Sequence, residues 1–283
     1  LMYEIDRVLI AKSKNSKKKI LSLIWRLIKG SLFKRSNKKL YKFSGWGMDI
    51  NHSDPPWETL PTAKDKIFEQ INNLLLERIS NKEFCLTQFD FHNTNYSKIL
   101  EELKWRHYLL YNACNDIIKN SNNKKKNLVE CGVCDGLTFY IMAQCFNINK
   151  IEFQGYLYDS WSKFNFDNKK DLFDYSYLNL EITKKNLKQF ERNIIFNEGN
   201  IPEVFDNSEN PKSIDLLHLD LNSGDATRDA LMFFYDKINS EGIIIFDDYG
   251  RMALEKQVID EFFLDKQGNF ISFPTGQAIF IKS

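Results

Sequence analysis

No stretch of the 283 residues reaches the roughly 18 consecutive apolar positions that a membrane-spanning helix needs. The nearest approach, ILSLIWRLIKGSLF (Ile20–Phe33), is short and is interrupted by Arg26 and Lys29. No small-residue cleavage site follows it, so it is not read as a secretory signal. Cysteine is scarce: Cys85, Cys114, Cys131, Cys134 and Cys145 make an odd number without framework spacing. That excludes a fold built on disulfides and suits reduced thiols, so a cytoplasmic location is expected. Cys131-x-x-Cys134 lacks the second ligand pair of a zinc site and is read as two small buried residues without a redox role. The dinucleotide fingerprint G-x-G-x-x-G is also missing.

Acids are missing from one region. Between Arg7 and Met48 there are 13 Lys or Arg and no Asp or Glu, although the whole chain carries a net charge of only +1. The body is therefore acidic and the N-terminal segment basic. In that segment Ile20, Leu23, Ile24, Leu27 and Ile28 recur at helical spacing. We read residues 1–42 as a basic amphipathic extension docked on its own body or on a partner subunit. The competing reading is weak association of 17–35 with a membrane surface. A homo-oligomer is expected. Residues 43–126 read as a cap region. It comprises the loop-like FSGWGMDINHSDPPW, helical patterns over about 62–80 and 98–119, and the polar connector NSNNKKKN.

From Asn127 the grammar changes. LVECGV, FQGYLYD, NIIFNEGN, IDLLHLDLN and GIIIFDDY are short apolar runs, mostly separated by helical stretches. That alternation indicates βαβ units on a parallel sheet over 127–283, closed by the hairpin NFISF–PTG–QAIFIKS. Such sheets place ligands at the carboxyl ends of their strands. Acids collect on that edge, at Asp159, Glu198, Asp220, Asp247 and Asp248. A strand as apolar as Ile243–Phe246 should not end in two aspartates unless something offsets their repulsion and desolvation.

VECGVCDG puts Glu130, Gly132 and Gly136 at a strand-to-helix turn, where glycines let the backbone approach a ligand. An acid two residues ahead is unsuited to a pyrophosphate and tolerable for a cationic ligand. YLYDSW ends the next run in Asp159 and Ser160, where an acid could accept ribose hydroxyls or either residue could cap a helix. Together the motifs point to a nucleoside carrying a positive group, and S-adenosylmethionine meets that description.

Over about 127–282 the chain resembles the class I S-adenosylmethionine-dependent methyltransferases, and more narrowly the macrocin O-methyltransferase family of magnesium-dependent sugar O-methyltransferases. The resemblance is carried by LVECGVCDGLT, YLYDSW, EGNIPEVF, LLHLDLNSGDAT, EGIIIFDDYG and FPTGQAIFIK. It implies a Rossmann-like α/β fold with a mostly parallel seven-stranded sheet, an antiparallel C-terminal hairpin and an N-terminal helical extension. It further implies that Glu130, Gly132 and Gly136 line the methionine end of the cofactor, that Asp159, with Ser160 beside it, holds the ribose, and that Asn200 lies near the adenine. Asp220 would border the cofactor and, with Asp247 and Asp248, hold Mg2+. The expected reaction is methyl transfer to the hydroxyl of a small sugar acceptor, a nucleotide-linked hexose or heptose for surface polysaccharide or a glycoside natural product. A catechol-like acceptor is the alternative.

One position departs from the family pattern. Where many members read LDGDLY this chain reads LDLNSG, so Asn222 replaces the acid proposed as base. His218, two residues before Asp220, is one substitute, against the reading of a packed core histidine. His52, His92 and His107 are others that could reach the pocket from a lid. No nucleic-acid partner is expected, because an acidic rim repels a polyanion and no Asn-Pro-Pro-Tyr-type base-flipping motif occurs. A cofactor-binding module without catalysis is the remaining rival, for which Asn222 is the argument.

Deleting residues 1–42 should leave cofactor binding intact and change oligomeric state or solubility, since an apolar helix face needs a partner surface. Calorimetry showing lost cofactor binding in the truncated protein would instead place the segment in the active domain.

Overall fold

The computed structural model describes residues 43–44, 47–48, 65–87, 95–120, 124–161 and 178–283. The amphipathic pattern of 17–35, most of the loop at 43–57, His52 and His92 lie outside the described residues. A short antiparallel pair, β1 (Phe43–Ser44) and β2 (Gly47–Met48), precedes helices α1 (Lys66–Ser80) and α2 (Tyr96–Lys119). Both helices start at side-chain caps: Asp65 accepts from the amides of Ile67 and Phe68, and Asn95 from that of Lys98. Tyr111 on α2 donates to the same Asp65 carboxylate at 2.8 Å, tying the two helices together.

The alternation of apolar runs and helical stretches is realised as β3 (Lys126–Cys131), α3 (Leu137–Ile148), β4 (Phe153–Asp159), α4 (Leu180–Asn186), β5 (Ile194–Glu198), β6 (Ile214–Leu219), α5 (Gly224–Phe234), β7 (Ile238–Phe246) and α6 (Ala253–Phe262), with β8 (Gly268–Ser272) and β9 (Ala278–Lys282) closing the series. The strands form one seven-stranded sheet in the order β5-β4-β3-β6-β7-β9-β8. β3 to β7 run parallel, while β9 pairs antiparallel with both β7 and β8. This matches the expected mostly parallel sheet with its antiparallel hairpin. The winding reverses between β3 and β6, which opens a crevice at their carboxyl ends.

Two apolar cores flank the sheet. Leu128, Leu157, Leu216, Ile243 and Ile245 pack against α1, α2 and α3, and Val129, Tyr158, Leu217, Ile244, Phe246 and Phe280 pack against α5 and α6. A period of two along each strand therefore puts Glu130 and His218 on the α2 side, in register with each other. β7 begins earlier than its apolar run. Its polar start, Ile238 to Glu241, pairs with β6 across a register shift between Ile214 and Leu216, which an apolar-run criterion does not see.

The crevice floor is knitted by backbone. The Gly132 amide donates to the Tyr158 carbonyl and the Asp220 amide to the Cys131 carbonyl, each at 2.9 Å. Gly132 has φ +83°, and a Cβ there would lie 1.8 Å from the Asp220 carbonyl oxygen. Gly132→Ala should therefore cost about 3 kcal/mol or more, from left-handed strain plus backbone overlap. Thermal unfolding checks this, and a wild-type melting temperature in the variant would contradict it.

Candidate active site

Helix α2 buries Leu100, Leu103 and Leu110 against the sheet, and the same face carries Arg106 and His107. Arg106 is 4 % exposed. Its Nη2 hydrogen-bonds the Asp247 carboxylate, donates to the Asp247 carbonyl at 2.9 Å and lies 3.5 Å from Asp248 Oδ1. The other Asp247 oxygen, Oδ1, accepts from Gln277 Nε2 at 2.8 Å. Thus the end of β7 is gripped from α2 on one side and from the hairpin on the other. Arg106, His107, Gly132, Cys134, Asp220, Asp247 and Gln277 line a cleft at the carboxyl ends of β3, β6 and β7.

The loop between β3 and α3 forms the opposite wall. Asp159, at the end of β4, accepts from the amides of Val133 (2.7 Å), Cys134 (2.9 Å) and Trp161 (2.8 Å). Trp161 Nε1 and the Thr183 hydroxyl both donate to the Cys134 carbonyl, and Asn186 donates to the carbonyl of Asp135. Cys134 is thereby held in the left-handed region at φ +51°. The expected ribose acid is already committed to the loop backbone, with some acceptor capacity left for a ligand. Next to it, the buried Ser160 Oγ has no hydrogen-bond partner among the described residues. A ligand hydroxyl would satisfy such an orphan, so the wall fits the nucleoside part of S-adenosylmethionine. Asn200 lies exposed just beyond β5.

Burial dominates the electrostatics. It raises the Asp220 carboxyl to about 7, with the neighbouring Asp248 charge adding to the effect. Asp248 is raised as well, by burial against the opposing charge of Arg106. His218 is pushed down to about 4 and His107 to about 3, again mainly by burial. Glu130 is raised well above its usual range by burial and then by Asp159. His218 Nδ1 lies 3.1 Å from Glu130 Oε1, and burial disfavours charge on both groups. Burial also raises the thiols of Cys131 and Cys134, which keeps both protonated and unreactive.

Of the residues expected at the site, Gly132, Asp220 and Asp247 line the cleft. Glu130 and His218 are each 1 % exposed and pack beneath α2. Gly136 caps α3 at φ +83°, close to Leu187 and Thr183. Asn222 sits just after β6 at φ +53°. Asp248 is buried behind Asp247. Among the described residues no group of three His, Cys, Asp or Glu is arranged to hold a metal ion. The arrangement instead places a guanidinium against Asp247 and Asp248, and the carboxylates as they stand do not fit Mg2+. Sequence reasoning missed Arg106 and Gln277. The legible signal for Arg106 was a charge between Leu103 and Leu110 on an apolar helical stripe.

Residues 129–249 match a family model described as a methyltransferase domain. Among solved structures, the chain is similar to the O-methyltransferase NovP at 19% identity and a TM-score of 0.55, covering 65% of this chain and 81% of that one. It is similar to CalS11, the calicheamicin methyltransferase, at 14% identity and a TM-score of 0.51, covering 84% and 98%. No curated protein matches. The fold is that of a Rossmann-like methyltransferase. Among the described residues no helix is long and apolar enough to cross a membrane.

Glu255 on α6 stands behind the cleft, 4 % exposed. It accepts from the Thr227 hydroxyl at 2.7 Å and its carboxyl is raised to about 7, chiefly by burial and further by Asp248, against the lowering effect of Thr227. The folded state therefore holds a proton that the unfolded chain releases near pH 4.5. The stability this group contributes is complete below that pH and is lost as pH rises through about 7. Glu255→Gln should match the wild type at about pH 3.5, below the unfolded value of 4.5, and exceed it at pH 8, by ~3 kcal/mol at most. Denaturant titrations at the two pH values check the difference, and equal stability at pH 8 would contradict it.

Proposed function

We propose that the protein is an S-adenosylmethionine-dependent O-methyltransferase acting on a hydroxyl of a small sugar acceptor, a nucleotide-linked hexose or heptose or a glycoside natural product. The observation that carries this reading is the acid-lined cleft at the strand-order reversal, where a glycine-bearing loop faces Asp220. The methyltransferase-domain match supports the reaction class. The sugar acceptor is supported by the motif resemblance and by the calicheamicin activity in the name of CalS11.

S-adenosylmethionine, when bound, supplies a methyl group on a positively charged sulfur. In this reading the loop from Gly132 to Cys134 and the Ser160 hydroxyl hold the cofactor, and Asp220 sits between cofactor and acceptor. A carboxylate with a pKa of about 7 is matched to accepting the proton that the acceptor hydroxyl gives up as its oxygen takes the methyl carbon. The role vacant at Asn222 thus falls to Asp220. Leu103, Leu110 and Leu137 line the same cleft and give it an apolar side. Orientation of the acceptor against the methyl group supplies the rest of the rate. No step is assigned to Mg2+, because Arg106 stands against the carboxylates that would hold it.

Mass spectrometry of a sugar-nucleotide and glycoside panel incubated with the cofactor should reveal a product heavier by one methyl. The rate should rise with pH through about 7 as Asp220 loses its proton, and Asp220→Asn should reduce it by roughly 10²–10⁴-fold. Cofactor binding without any methylated product across the panel would favour the non-catalytic binding module.

A further inference from the structure

We propose that Arg106 is the resident cation of this active site, standing where the resemblance would put a divalent metal ion, so that the chemistry runs without one. The proposal rests on the methyl-transfer reading for its function, but its geometry is independent of it. Asp247 and Asp248 end a strand whose last four side chains, Ile243 to Phe246, are at most 3 % exposed. Two carboxylates at such a place need a positive partner. The partner present is a guanidinium that bonds the Asp247 carboxylate, reaches the Asp247 carbonyl at 2.9 Å and lies 3.5 Å from Asp248.

Three features make this a built arrangement. Arg106 is delivered by a helix anchored through Leu103 and Leu110 on the same face, so the charge is fixed by packing. Gln277 donates to the remaining Asp247 oxygen, so both oxygens of that carboxylate already hold a protein donor that a metal ion would have to compete with. A guanidinium keeps its charge at every accessible pH and offers a planar fork of donors that suits carboxylates. Its Nη1 is buried and has no hydrogen-bond partner among the described residues, so the fork is not fully used. A divalent ion entering here would have to expel a buried guanidinium and break its hydrogen bonds to Asp247.

The test titrates Mn2+ into the full-length protein and reads bound metal by electron paramagnetic resonance, with no cofactor or acceptor present. Wild type and Arg106→Lys, which both keep the charge, should show no saturable Mn2+ site. Arg106→Ala should gain one, and adding Asp247→Asn to that variant should abolish it. A role limited to holding the fold would not create a metal site, so the gain separates the two. Wherever turnover is found, excess EDTA should change the wild-type rate less than twofold. Saturable wild-type Mn2+ binding that Asp247→Asn removes would overturn the proposal, and this arm decides the matter even if Arg106→Ala does not fold. A folded Arg106→Ala that binds no Mn2+ would overturn it too, as would loss of turnover on chelation. Failure of the methyl-transfer reading would show separately, as the absence of any methylated product.

Discussion

Burying a carboxylate without a partner costs several kcal/mol, and removing one member of a buried ion pair costs about 3–5 kcal/mol. The end of β7 meets that constraint with Arg106, and much of the molecule is arranged around the contact. α2 must cross the sheet where it does for the guanidinium to arrive. The hairpin must fold back so that Gln277 takes the other oxygen of Asp247. His218, in the strand beside β7, stays neutral under the same helix, with Nε2 3.6 Å from that oxygen. One charge pair thus joins the helical layer, the sheet and the C-terminal hairpin at the mouth of the cleft.

The opposite wall relies on dipoles. Three backbone amides converge on Asp159, and an indole and a hydroxyl converge on the Cys134 carbonyl. The loop they shape holds a non-glycine residue in a left-handed conformation, a state costing of order 1–3 kcal/mol that the surrounding hydrogen bonds offset. The cleft therefore has one wall set by a formal charge pair and one set by hydrogen-bonded backbone.

The sheet was legible in the sequence because buried parallel strands leave long apolar runs, and FQGYLYD coincides with β4 from end to end. The polar start of β7 was not, since its pairing comes from a register shift that leaves no hydropathy signal. At the site, the acids stood out because they punctuate apolar runs, and Asp220 and Asp247 do line the cleft. Much of what offsets their charge came from α2, more than a hundred residues earlier, with Arg251 adding to it at Asp248, and no local pattern links Arg106 to Asp247. Asp159 was legible as a strand-end acid, but its engagement with the Val133 and Cys134 amides is a tertiary contact between two βα turns. Glu130 reads as lining the cofactor and His218 as either a base or a packed core histidine; the pleat places both on the α2 side of the sheet, buried.

Among the described strands β9 comes last in sequence, yet it inserts between β7 and β8. Its neighbour Gln277 orients the Asp247 carboxylate, so on the ribosome the cleft stays unfinished until the hairpin has emerged and threaded into place. A nascent chain that has made β3 to β8 still exposes the edge of β7 that β9 pairs with, and its Asp247 still lacks Gln277 on that side. The acids at the end of β7 thus take part of their geometry from a segment that follows them in the chain, and a chain stopped before it would carry the acids without that contact.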